Sequence, residues 1–130
     1  GGENKKNSSS WILQEWKAPK TQRPWGYYRV LHEVPGVKVK EFTINPHQKL
    51  SMQKHSERSE HWLVSEGKVD VQGRLDDGQT TPTFILIKHD SHNIEQKEWH
   101  QLMNPYDEPC RIIEIQYGEQ CVEEDIEREE

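Results

Sequence analysis

Between Arg23 and Gly118 the apolar residues recur at short intervals, and no long stretch keeps the 3.6-residue period of a helix. The run "VKVKEFTI" alternates: Val37, Val39 and Glu41 share one face, while Lys38, Lys40 and Phe42 share the other. Before it, "YYRVLHEV" stops at Pro35-Gly36, a dipeptide that favours a tight turn. "NPHQ" breaks the alternation, and "KLSMQKH" resumes it. "HWLVSEG" ends at Gly67, and "KVDVQG" alternates again before the polar stretch "RLDDGQTTPT". "FILIK" is an uninterrupted apolar run, which predicts a strand buried on both faces, and "CRIIEIQYG" is the last clear strand. Short strands at near-regular spacing predict an all-β sandwich or barrel.

The ends read differently. "GGENKKNSSS" is a polar lead, and "WILQEWK" after it places Trp11, Ile12 and Trp16 either on one helical face or on an arm that packs against a neighbour. The chain therefore divides into a lead and aromatic arm over residues 1–22 and one domain over residues 23–130. Its final run, "EEDIEREE", is expected to be a solvated acidic tail.

Composition narrows the function classes. The formal charge of −6 argues against a nucleic-acid-binding surface, although it says nothing about the inside of a pocket. No apolar run is long enough to span a membrane and no secretory leader is visible, so a cytoplasmic setting is expected. Cys110 and Cys121 form no CxxC pair, which argues against a thiolate zinc site and leaves one disulfide open.

Candidate chemistry collects in "SMQKHSERSEHWLVSEG". Residues two apart on a strand face the same way, so Ser51, Gln53 and His55 share a direction. Across the turn "SERS", Arg58, Glu60, Trp62 and Val64 share another face, and His61 points away from it. Gln53, His55 and Glu60 can thus converge in a barrel mouth, or they can be polar residues on a solvated hairpin. His100, which opens a strand continued inward by Leu102, is the best fourth partner. One amide, one carboxylate and two imidazoles suit a divalent cation in an open, catalytic style of site: Zn first, with Mn, Co, Ni or Fe as alternatives. His32, His47, His89 and His92 read as ordinary loop or surface residues.

The segments "RPWGYYRVL", "PGVKVKEFTINPHQKLSMQKHSERSEHWLVSEGKVDV", "HQLMNP" and "IIEIQYGEQCVEEDIER" resemble, in that order, the cupin domain of type II mannose-6-phosphate isomerases. The resemblance runs from Arg23 to Arg128 and implies a cupin jelly-roll barrel. It places the family's metal positions on Gln53, His55, Glu60 and His100, and an active-site arginine on Arg58. The chain departs from the pattern at Ser56 and Glu57, where the family has two histidines. It departs again at "EQKEW", where the family has Pro and Gly before the last histidine ligand. The nucleotidyltransferase half that often precedes this module, with its Gly-rich signature, is not in this sequence, so no guanylyltransferase activity is expected.

The resemblance implies interconversion of mannose 6-phosphate and fructose 6-phosphate through an enediolate. That reaction needs a metal on the sugar oxygens, a proton shuttle between C1 and C2, and a cation for the phosphate. Arg58 can stabilise the enediolate or bind phosphate. Lys40, or its same-face neighbour Lys38, can reach the phosphate, Ser51 can line the cavity, and Trp62 can stack on the sugar. Glu114, set in the apolar run "RIIEI", can be the base if its face is the inner one. The alternatives are a non-catalytic sugar- or metal-binding module and a cupin epimerase acting on another sugar. A homodimer is expected, because two exposed tryptophans in the arm need a partner.

Overall fold

The computed structural model describes residues 18–128, so the arm "WILQEWK" lies outside the described residues. Twelve strands follow in chain order: β1 (Thr21–Arg23), β2 (Gly26–Val34), β3 (Val37–Ile44), β4 (Gln48–Lys49), β5 (Gln53–Lys54), β6 (Arg58–Glu66), β7 (Val69–Arg74), β8 (Phe84–Leu86), β9 (Ser91–Ile94), β10 (Trp99–Asn104), β11 (Cys110–Gly118) and β12 (Glu127–Arg128). They form two sheets, ordered β1-β2-β3-β11-β6-β9 and β12-β5-β10-β7-β8, with β4 also pairing β10. Every pairing is antiparallel. Among the described residues no helix is long and apolar enough to cross a membrane.

Alternation decides what each strand turns inward. On β3 the inner face carries Lys38, Lys40, Phe42 and Ile44; on β6 it carries Arg58, Glu60, Trp62 and Val64; on β11, Cys110, Ile112, Glu114 and Gln116. Cross-strand register lines these up in layers. Ile112 lies between Phe42 and Val64, Glu114 between Lys40 and Trp62, and Gln116 between Lys38 and Glu60. The apolar end is closed by Ile44, Leu50, Val64, Val69, Val71, Leu86, Ile94, Leu102, Cys110 and Ile112. Asn104 fastens this end, its Nδ2 donating to Ile44 O at 3.0 Å and Glu108 O at 2.9 Å.

Two glycines permit close approaches. Gly26 of "RPWG" has φ +148°, and a Cβ there would lie 2.0 Å from Thr43 O. Gly118 has φ +151°, and a Cβ would meet Glu57 O at 2.4 Å, so only glycine lets the end of β11 press against the turn before β6.

The structure corrects three readings. "FILIK" is not a doubly buried strand: β8 is the edge of its sheet and pairs only with β7. Phe84, Ile85 and Ile87 are 39%, 53% and 55% exposed, because among the described residues no layer covers that edge, and Leu86 alone turns into the core. "KLSMQKH" is two short strands, β4 and β5, with Ser51 between them rather than one continuous run. The acidic run "EEDIER" is not a free tail, since β12 pairs with β5 and the segment before it crosses the barrel mouth. Both cysteines are free; burial pushes the Cys110 thiol up to about 12.

Candidate metal centre

The polar half of the barrel opens into a cavity of about 380 Å³, and its walls include Lys40, Ser51, Gln53, Arg58, Glu60, Trp62, His100 and Glu114. The volume lies in the range of small-molecule sites. Gln53 on β5 pairs directly with His100 on β10, and His55 follows β5 at the start of the turn into β6. His55, Glu60 and His100 are all buried, with ligating atoms within 4.8 Å of one another. His100 Nε2 lies 3.0 Å from Glu60 Oε1, and His55 Nε2 lies 3.7 Å from the same oxygen.

Backbone carbonyls set both imidazoles. His55 Nδ1–H donates to Asp125 O at 2.6 Å, and His100 Nδ1–H donates to Glu98 O at 3.0 Å. In a neutral ring that leaves a bare lone pair on each Nε2, the arrangement metal-ligating histidines use. Arg58 Nη2 donates to His55 Nε2 at 3.1 Å, which also requires that nitrogen to be unprotonated. Burial, followed by the Arg58 charge, holds the His55 pKa below its ordinary value despite the pull of Glu60. Burial pushes the Glu60 carboxyl up, but the hydrogen bond it receives from Glu114, together with attraction to His100 and His55 in their protonated forms, outweighs it and holds the carboxyl below its ordinary value.

Three basic atoms therefore lie close together, with Arg58 standing at His55 Nε2, and Glu60 Oε1 is buried without an aligned hydrogen-bond donor. Metal bonds of about 2.1 Å place neighbouring donor atoms roughly 3–3.5 Å apart, so the donor set fits a divalent cation. Gln53 Nε2 donates to Ser51 Oγ at 3.0 Å, which leaves its carbonyl oxygen available.

Around this triad the other sequence-predicted residues take defined places. Arg58 is buried, 3.5 Å from Glu60 Oε2, and its Nη1 donates to Val122 O at 3.3 Å. Glu114 lies on the inner face, accepting from Trp62 Nε1 at 3.1 Å and Gln116 Nε2 at 3.0 Å. Burial, then the charge of Glu60, holds its carboxyl well above the usual range. Trp62 is a buried wall whose ring meets His100 edge-on at 5.5 Å. Lys40 reaches the cavity, but Glu123 takes its ammonium in an ion pair and also receives Lys38 at 3.1 Å. Those lysines bring the Glu123 carboxyl down to about 2 against the upward push of its burial. His61 points outward to Asn93, as alternation requires.

The strap from Glu119 to Arg128 was not legible as part of the site. Besides the Glu123 and Val122 contacts, the Asp125 carboxylate accepts from the amides of Ser56 at 3.0 Å and Glu57 at 2.9 Å. The turn at Ser56 and Glu57 is thus held through backbone N–H groups, with both side chains exposed. The signal available was the "EDI" segment itself, whose acids sit too far along the chain for local pattern to pair them with His55 or Lys40.

An all-antiparallel double-stranded β-helix with an inward His/Glu/His cluster defines a cupin. Solved structures agree on the fold. The capsular polysaccharide assembling protein CapF of Staphylococcus aureus superposes with a TM-score of 0.77 at 17% identity, over 87% of this chain and 32% of that one. An uncharacterised double-stranded β-helix protein of Klebsiella pneumoniae matches with a TM-score of 0.71 at 14% identity, over 90% of this chain and 94% of its own.

Sequence comparison is narrower. The family described as mannose-6-phosphate isomerase C-terminal matches residues 13–130, and the chain belongs to that family. It is 40% identical to the alginate biosynthesis protein AlgA of Pseudomonas aeruginosa over 106 residues, 82% of this chain and 21% of that protein. Against the xanthan biosynthesis protein XanB of Xanthomonas campestris pv. campestris it is 36% identical over 109 residues, 84% of this chain and 22% of that protein. The chain thus spans about a fifth of the length of these curated relatives.

Proposed function

We propose that this chain is a metal-dependent aldose–ketose isomerase module that interconverts mannose 6-phosphate and fructose 6-phosphate. The observation that carries the reading is the clustering of His55 Nε2, His100 Nε2 and Glu60 Oε1 beside a cavity whose wall also holds a second buried carboxyl, Glu114. Membership of the mannose-6-phosphate isomerase C-terminal family supports the choice of substrate.

In this reading His55, Glu60 and His100 hold the cation, and Gln53 completes the set through its carbonyl oxygen. A bound divalent ion supplies Lewis-acid stabilisation of charge on neighbouring sugar oxygens. Glu114 exchanges the proton between C1 and C2, and its raised pKa suits that role. Trp62 Nε1 and Gln116 Nε2 orient its two oxygens. Arg58 holds a permanent positive charge beside the triad, where negative charge develops. Ser51 fixes the Gln53 amide, and Trp62 closes the wall behind the sugar.

The departures at Ser56 and Glu57 leave this arrangement intact, because the turn contributes amides rather than side chains. A second reading, a sugar- or metal-binding module without turnover, is favoured by the neutralisation of Lys40 by Glu123. Metal analysis and an isomerase assay separate the two. The active module loses conversion on chelation and regains it with added divalent metal, and His55→Ala loses both metal and activity. Undiminished conversion by metal-free protein overturns the isomerase reading as stated.

A further inference from the structure

If Lys40 and Lys38 are held by Glu123, another cation must meet an anionic substrate. Arg58 is committed to His55, Glu60 and the Val122 carbonyl. Lys49 also borders the cavity, but it is exposed and its register partner Met103 alternates away from the inward His100 and Leu102, which sets it off the row of inward side chains. Two arginines remain on the cavity wall, Arg23 and Arg128, and among the described residues neither has a carboxylate partner.

Register places Arg128 further. Arg128 on β12 pairs with Gln53 on β5, and Gln53 pairs with His100 on β10. Directly opposed residues in antiparallel strands project to the same face, so Arg128, Gln53 and His100 form one row across the inner surface. Its neighbour Glu127 belongs to the other face, where it meets Lys54 at 3.5 Å. Strands lie about 4.8 Å apart, which puts Arg128 roughly 10 Å from His100 along the row. That span suits an open six-carbon sugar with its reacting carbons at the triad and a phosphate ester on its far end.

We propose that Arg128 is the phosphate anchor of the cavity, gripping the monoester of a sugar phosphate laid along the His100–Gln53–Arg128 row. The proposal rests on the isomerase reading for the identity of the sugar, and not for the presence of a phosphate. The guanidinium offers two parallel N–H donors to phosphate oxygens, a geometry that lysine cannot reproduce. Arg23, on the opposite rim, supplies a second cation; its Nη2 already leans on Tyr28 OH at 3.5 Å.

The test is calorimetric titration of the full metal-loaded chain with mannose 6-phosphate, inorganic phosphate and mannose, for wild type, Arg128→Gln and Arg128→Lys. Arg128→Gln should weaken both phosphate compounds about ten- to a hundred-fold, in line with the loss of a charge-assisted pair. Mannose binding and metal content should stay at the wild-type level, and Arg128→Lys should recover part of the loss. In turnover, KM for mannose 6-phosphate should rise while kcat holds within a few-fold. Wild-type phosphate affinity in both variants overturns the anchor, and so does an equal loss of mannose binding. Arg128-dependent binding of mannose 6-phosphate without turnover sustains the anchor and overturns the isomerase reading alone.

Discussion

The two ends of the barrel are built from the same three strands and could hardly differ more. On β3, β6 and β11 the inward row is apolar at Phe42, Val64 and Ile112. Two inward steps away it is ionic or amide at Lys38, Glu60 and Gln116, which are buried as well. Burial stabilises the first end in proportion to the apolar area removed from water. At the second end each charge is costly to bury and is tolerated because another stands against it. Apolar burial thus gathers at one end and the candidate site at the other, with the Glu114–Lys40–Trp62 layer as the border between them.

Substitutions one layer apart should separate the two ends. Glu114→Gln keeps a neutral group of the same shape on the border, and is expected to cut isomerisation by about 10²- to 10⁴-fold. Its unfolding midpoint should stay close to wild type, and steady-state rates beside thermal unfolding check both halves. A variant that is fully active removes Glu114 from the chemistry.

Ile112→Ala, one inward step toward the apolar end, is expected to cost about 2–5 kcal/mol through lost burial and the cavity left behind. Denaturant unfolding measures that cost, and metal content per folded chain should be unchanged. If metal is lost along with stability, the two ends are a single cooperative unit and the contrast fails.

A smaller effect is expected at the strap. Glu123 has its carboxyl lowered from 4.5 to about 2. Its contribution to holding the strap is therefore complete above about 4.5 and is lost as the pH falls toward about 2. Hydrogen exchange over residues 119–128 should accelerate through that window in wild type. Glu123→Gln should exchange faster at neutral pH and show a flatter profile.

Local pattern carried much of the design. Alternation alone placed Lys40 with Phe42, turned Glu60 and Trp62 the same way and His61 the other, and sent His100 and Leu102 inward together. It could not decide which face of "RIIEI" was the inner one, because Ile113 and Ile115 are as apolar as Ile112. Tertiary packing settled that by covering Glu114. Nor could it see that "FILIK" lies at an edge, since burial there depends on a neighbouring layer that the described residues do not supply. The partners of Lys40 and His55 lie 83 and 70 residues away, beyond any periodicity. The resemblance to a known family supplied the grouping of Gln53, His55, Glu60 and His100 that spacing left open against a solvated hairpin.

The contact between His55 Nδ1 and the Asp125 carbonyl also bears on the order of events as the chain folds. During synthesis β2, β3 and β6 can begin to form, and the apolar layer at Ile112 can close once β11 has emerged. Until the strap arrives 70 residues later, the His55 ring is held only from its Nε2 side, by Arg58. Loops of that length close slowly compared with a hairpin. The candidate metal centre therefore gains its second hold on His55 only after β11 and the strap are made, and a cation that meets the chain earlier meets a less constrained set of side chains.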